Sequence, residues 1–85
     1  MMTAGAMTDR APLPYHLVDT GTEAVLAVKD SAAAASRSAD NISRRRHGKP
    51  VSIWLLDRTM RPGSSITDAG GVFVAEIDNG RWSRR

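Results

Sequence analysis

The sequence contains no cysteine, so no disulfide and no thiolate-bound metal can staple its fold. Histidine occurs only as His16 and His47, on separate segments and without neighbouring ligand residues. A zinc site needs three or four donors converging on one point, so no metal site is expected. Aromatic residues are equally scarce, being Tyr15, Trp54, Phe73 and Trp82. No apolar run approaches the roughly 18 residues of a membrane span, and the first residues lack the apolar segment of a signal peptide. These absences predict a soluble, cytoplasmic protein with no membrane partner.

The usual catalytic signatures are missing as well. No Gly-x-Ser-x-Gly elbow occurs. Gly63, Gly70 and Gly71 precede a strand-like run rather than a helix, so the cradle that holds a phosphate at a helix N-terminus has no counterpart. The carboxylates are scattered at turns and strand ends, where solvation and capping account for them. No enzymatic activity and no cofactor are expected.

Against these absences stands one dense stretch, Asp30 to Pro50. Asp30 or Ser31 can cap a helix start, and four alanines follow. Ala32, Ala35, Ala39 and Ile42 recur at helical spacing and form one face. Asp40 precedes Arg44 by four residues, the favourable order for a surface pair. Arg44, Arg45, Arg46 and His47 crowd the last turn, where positive charge suits the helix dipole. Gly48 is placed for a left-handed cap and Pro50 forbids continuation. The expected helix is therefore Ser31 to His47. Its alanine face contributes little buried area, so the bulk of the core must come from a sheet beneath it.

Strand patterns flank the helix. Pro14 to Val18 and Glu23 to Lys29 alternate about the turn residues Asp19 to Thr22 and read as a hairpin. Val51 to Asp57 is the strongest strand signal, and Val72 to Ile77 is a further one. Asp78-Asn79-Gly80 signals a tight turn that sends Arg81-Trp82 back as a short last strand. Between them lies the long polar connection Arg58 to Gly71, with Arg61-Pro62-Gly63-Ser64 ordered for a type II turn. Connections of this length are usually functional or mobile, and this one is expected to be the most mobile internal segment.

The expected fold is thus α+β: a small antiparallel β-β-α-β-β sheet with one helix across one face, and β1 between β2 and β3. Within 85 residues there is room for one domain. Residues 1–12 read as a disordered tail, 13–82 as the domain and 83–85 as a frayed end. So small a core has modest stability, for which a homodimer is one remedy.

Two binding surfaces follow. Strict alternation sends Tyr15, Leu17, Leu26, Val28, Val51, Ile53, Leu55, Phe73 and Ile77 toward the helix. Val18, Val25, Trp54, Leu56, Val72 and Val74 are left on the opposite face, with Val18, Trp54, Leu56, Val72 and Val74 as the candidate interface. An open sheet face is normally polar, so an apolar one with a central tryptophan reads as a protein interface unless Trp82 folds back over it. The second surface is basic. Arg44, Arg45, Arg46, Lys49 and Arg81 could neutralise phosphates, although the helix dipole alone explains positive charge at that terminus. The chain holds ten arginines and two lysines against nine acidic residues, a bias that a GC-rich genome also produces.

In size, composition and element order, Pro14 to Trp82 is similar to many short proteins of bacteria and phages. Some of these, anti-CRISPR proteins among them, inhibit a host machine by binding it. The likeness is one of architecture and carries over no site residue. It implies a non-catalytic protein-binding role, as an inhibitor or adaptor, with nucleic-acid binding through the arginine cluster as the alternative.

Overall fold

A computed structural model of the chain describes residues 14–67 and 70–84. The strands are β1 (Tyr15–Asp19), β2 (Val25–Lys29), β3 (Val51–Leu55), β4 (Val72–Asp78) and β5 (Arg81–Ser83), and the helix α1 (Ala32–Arg45) lies between β2 and β3. They form one five-stranded sheet in the order β2-β1-β3-β4-β5, with every neighbouring pair antiparallel. The α+β architecture, the place of β1 between β2 and β3 and the returning last strand match the sequence expectation. The expected tail at 1–12 lies outside the described residues, as does Arg85, while Ser83 belongs to β5.

The helix is capped where its sequence requires. Ser31 adopts an extended backbone, and its Oγ accepts the N–H of Ala34 at 3.2 Å. The far end closes one residue earlier than the glycine suggests. His47 takes the left-handed conformation (φ 63°) and donates to the Arg44 carbonyl, while Gly48 (φ 84°) donates to that of Ser43. This is a Schellman closure with histidine, rather than glycine, at C′. The Ser43 Oγ donates to the Lys49 carbonyl at 2.8 Å, which explains why this polar residue is buried in the helix stripe with Ala35 and Ala39. Ile42 is half-buried, and Ala32, expected in the stripe, is exposed.

Under the helix lie Leu17, Val51, Ile53 and Ile77, packed against Ala35 and Ala39. Each of these four side chains contributes about 1.5–3 kcal/mol on burial, so the sheet supplies the bulk that the alanines cannot. The small helix face permits this close approach. The helix packs on β3 and β1, reaches β2 and β4, and makes no contact with β5.

Two β-bulges correct the expected faces. In β2 the register slips between Ala27, opposite Leu17, and Val25, opposite Val18. In β4 it slips between Ala75, opposite Ile53, and Phe73, opposite Trp54. Each bulge inserts one unpaired residue and reverses the alternation beyond it. Val28 and Phe73, expected under the helix, therefore face away from it. Val74, expected on the far face, packs on the helix-side core, and Val72 shares the phase of Leu55.

The long connection also differs from expectation. Segment 58–67 is tied down across the sheet's far face rather than loose. Ser64 accepts the N–H of Val25 at 2.8 Å, Gly63 donates to the Val25 carbonyl at 2.7 Å, and Ile66 donates to the Glu23 carbonyl at 2.9 Å. The physical reason is apolar: Ile66 is buried and Met60 packs with it against Val18, Val25 and Leu56. The turn at Arg61–Ser64 closes with Gly63 at φ 94°, as the type II pattern requires.

Candidate functional site

The face expected to be an open apolar interface is a second core. Val18 and Leu56 are buried beneath segment 58–67, and Trp54 is half-buried beside Met60. Trp54 meets Phe73 edge to face, with ring centroids 5.5 Å apart. His16, fully buried next to them, anchors the cover: its Nε2 accepts the Met60 N–H at 2.9 Å. What remains open is a cavity of about 200 Å³ beside Trp54 and Phe73. On its rim Thr20 Oγ1 donates to Glu76 Oε2 at 2.8 Å and lies 3.0 Å from the Ser52 hydroxyl. The internal cover exists, but segment 58–67 supplies it. Trp82 stands opposite Ile77 and so belongs to the helix side. The five residues Val18, Trp54, Leu56, Val72 and Val74 therefore do not form one patch.

The basic residues are similarly divided. Arg46 continues the buried stripe of α1 past its last turn, and its guanidinium donates to the Asp19 carboxylate at the end of β1. That contact, with the N–H groups of Thr22 and Gly21, holds the Asp19 carboxyl below its ordinary value against the opposing effect of burial. Arg46 is thus structural. Arg44 pairs with Asp40 at 3.0 Å on the surface. Arg45 and Lys49 are exposed. The Gly48 carbonyl accepts the Asn79 N–H at 2.9 Å, which brings the β4–β5 turn against the end of the helix. Arg81 follows that turn, but it stands opposite Asp78, one position out of phase with the helix-facing Ile77 and Trp82. The five cations share one end of the molecule without sharing one face.

The surface that is open lies elsewhere. Because α1 reaches β4 but does not approach β5, the helix side of β5 is left uncovered among the described residues. Here Trp82 is 44% exposed and Val72 is 64% exposed, the two large apolar side chains most open to solvent among the described residues. Between this strip and the first turns of α1 runs a groove of about 260 Å³, with Tyr15, Val74, Trp82 and Arg84 along its walls and Ala32 and Ser36 on the helix rim. Sequence reasoning weighed Trp82 only as a cover for the opposite face, although the signal for its true face was present. A two-residue turn at Asn79-Gly80 pairs Asp78 with Arg81, and so Ile77 with Trp82, which puts the indole on the helix side. Tyr15 and Arg84 carried no such signal.

Among the described residues no group of three His, Asp or Glu side chains is arranged to hold a metal ion. No helix among them is long and apolar enough to cross a membrane. Compared with protein-family models, with curated proteins and with solved structures, the chain finds no match.

Proposed function

We propose that this is a non-catalytic protein that acts by binding another protein, through the strip of sheet beyond the helix rather than through the Trp54 face. One observation carries the reading: Trp82 stands exposed on the wall of a groove on the helix side of the sheet, and Val72 is exposed at the other end of β4. An apolar, partly concave surface centred on an indole is what a binding anchor requires. An inhibitor or adaptor of the phage type is a form that such a protein can take. The half-buried Arg46, tied to Asp19, and the divided basic cluster favour this reading over nucleic acid.

The test is a pair of variants carried through capture from the native host. Trp82→Ser with Val72→Ser should stay folded and lose the partner, whereas replacing Arg44 and Arg45 with glutamine should leave capture intact. Capture should weaken only modestly as salt is raised, since phosphate-driven binding falls steeply with salt and apolar binding does not. Capture that survives the double serine change, or that vanishes with the arginines, would sink the proposal.

A further inference from the structure

The two edges of the sheet are treated differently. On β2 the bulge interrupts the edge, and residues 63–66 already pair with Glu23 and Val25, with a bridge between Ala24 and Ser65. A bulge and a covering loop are two standard ways of blocking an edge from further pairing. On β5 neither occurs among the described residues. The Asn79-Gly80 turn has both residues left-handed, at φ 52° and 82°, so it is a two-residue type I′ turn, and Asp78 and Arg81 form the hydrogen-bonded pair that flanks it. Antiparallel alternation then makes Ile77–Trp82 a pair without mutual backbone bonds. The N–H and C=O of Trp82 consequently point outward, along the open edge.

We infer that β5 accepts an extended acidic segment of a protein partner as a sixth strand, a conclusion that rests on the protein-binding reading above. Backbone pairing to Trp82 supplies the docking, and side chains supply the selection. A partner residue directly opposite Trp82 places its side chain on the same face, over the indole and the groove beside Val74 and Tyr15. That residue is apolar. In an antiparallel approach, the partner residue that follows it stands opposite Arg81, and the one two positions before it stands opposite Arg84. Among the described residues neither arginine makes an ion pair, although Asp78 lies across the strand from Arg81. Two unpaired guanidinium groups on one edge select carboxylates at those two places. The partner motif, read in its own chain direction, is acidic–any–apolar–acidic. The same charges favour an acidic partner over a second copy: with Trp82 opposite Trp82 of another copy, Arg81 would face a serine and Arg84 a glycine, and neither guanidinium would meet a carboxylate.

Fluorescence anisotropy of short labelled peptides with the full chain tests this. A peptide centred on Glu-Thr-Val-Glu should bind. Lysine in place of both glutamates should weaken binding at least about tenfold, as should Arg84→Glu in the protein. Proline in place of the valine keeps the charges but removes the N–H that faces Trp82, and should abolish binding. Equal binding of the proline peptide would overturn strand addition, because charge alone would then suffice. Stronger binding of a single-stranded oligonucleotide than of the acidic peptide would overturn it in favour of phosphate. Concentration-dependent self-association that Trp82→Pro blocks and Arg84→Glu does not would overturn it in favour of a second copy. If no peptide binds while capture still depends on Trp82 and Val72, the edge proposal falls and the protein-binding reading stands. If capture is also insensitive to those residues, both fall.

Discussion

The imidazole Nε2 of His16 accepts the backbone N–H of Met60 across 44 positions of sequence, joining the inner strand β1 to the segment that covers the far face. Accepting at Nε2 fixes the neutral ring with its proton on Nδ1. That atom is buried without a well-formed hydrogen bond. Burial lowers the His16 pKa below its ordinary 6.5; the Pro14 carbonyl opposes this, and the charge of Arg58 adds to the lowering.

Stability should therefore depend on mildly acid pH. The unfolded histidine takes up a proton near its ordinary value and the folded one resists it. The stabilisation is complete above about pH 6.5 and is lost as pH falls through the lower folded value. Melting temperature followed downward from neutral pH should show this decline. His16→Gln, which can keep an acceptor but does not titrate, should flatten it.

The two tryptophans should separate cleanly. Trp54 packs in the second core against Phe73 and Met60, so Trp54→Ala should cost about 2–4 kcal/mol, somewhat below the range for a fully buried indole. Trp82 is 44% exposed at an edge, and Trp82→Ala should change stability by no more than about 1 kcal/mol. Denaturant unfolding of both variants measures the difference. An equal loss would place Trp82 in the core and remove the candidate anchor.

The Asp19–Arg46 contact should act at a lower pH. Asp19 also accepts the N–H groups of Gly21 and Thr22, at 2.8 and 3.1 Å, and so fastens the β1–β2 turn to the end of α1. Arg46→Gln should cost about 1.5–3 kcal/mol at neutral pH, the scale of a hydrogen bond to a charged group. Because the folded Asp19 pKa lies below its ordinary 3.8, the wild-type protein loses this stabilisation only as pH falls beneath that value. The gap between variant and wild type should hence narrow in strong acid, as urea melts can show.

Gly48 offers a test of the helix closure. A Cβ there would lie 2.6 Å from Asn79 Oδ1 and 3.4 Å from Asn79 Cα, on a backbone at φ 84°. Gly48→Ala should destabilise by about 1–2 kcal/mol from the left-handed backbone alone, with the crowding added. The hairpin turn should be disturbed with it, visible as shifted amide signals at Asn79 and Gly80.

Much of this fold is legible in the residues. Ser31 and the Arg44–Gly48 run mark the helix ends, and Asn79-Gly80 marks the last hairpin, because these signals act locally. The faces were legible only as far as the first bulge. A bulge is a backbone event that no side-chain alternation announces, and the extra residue in β4 alone moved Phe73, Val74 and Val72 to the wrong sides. The cover was hidden for a different reason. Met60 and Ile66 are isolated apolar residues among polar ones, and their burial depends on a sheet face assembled from distant strands. The Trp54 interface was inferred from that apparently bare face, so the error in the site descends from the error in the loop.

The position of β1 has a kinetic consequence. Its two partners differ greatly in distance along the chain: β2 follows across a short turn, whereas β3 arrives only after β2 and α1. Closing the larger loop requires the greater loss of chain freedom before any contact rewards it. The β1–β3 junction is thus a seam between two halves that can each begin locally, one from β1 and β2 and the other from β4 and β5. The helix, which packs on both β1 and β3, lies across that seam and can hold it shut once it has formed. Substitutions at Leu17 or Ile53, and at the Asn79-Gly80 turn that forms before the seam closes, should accordingly slow folding.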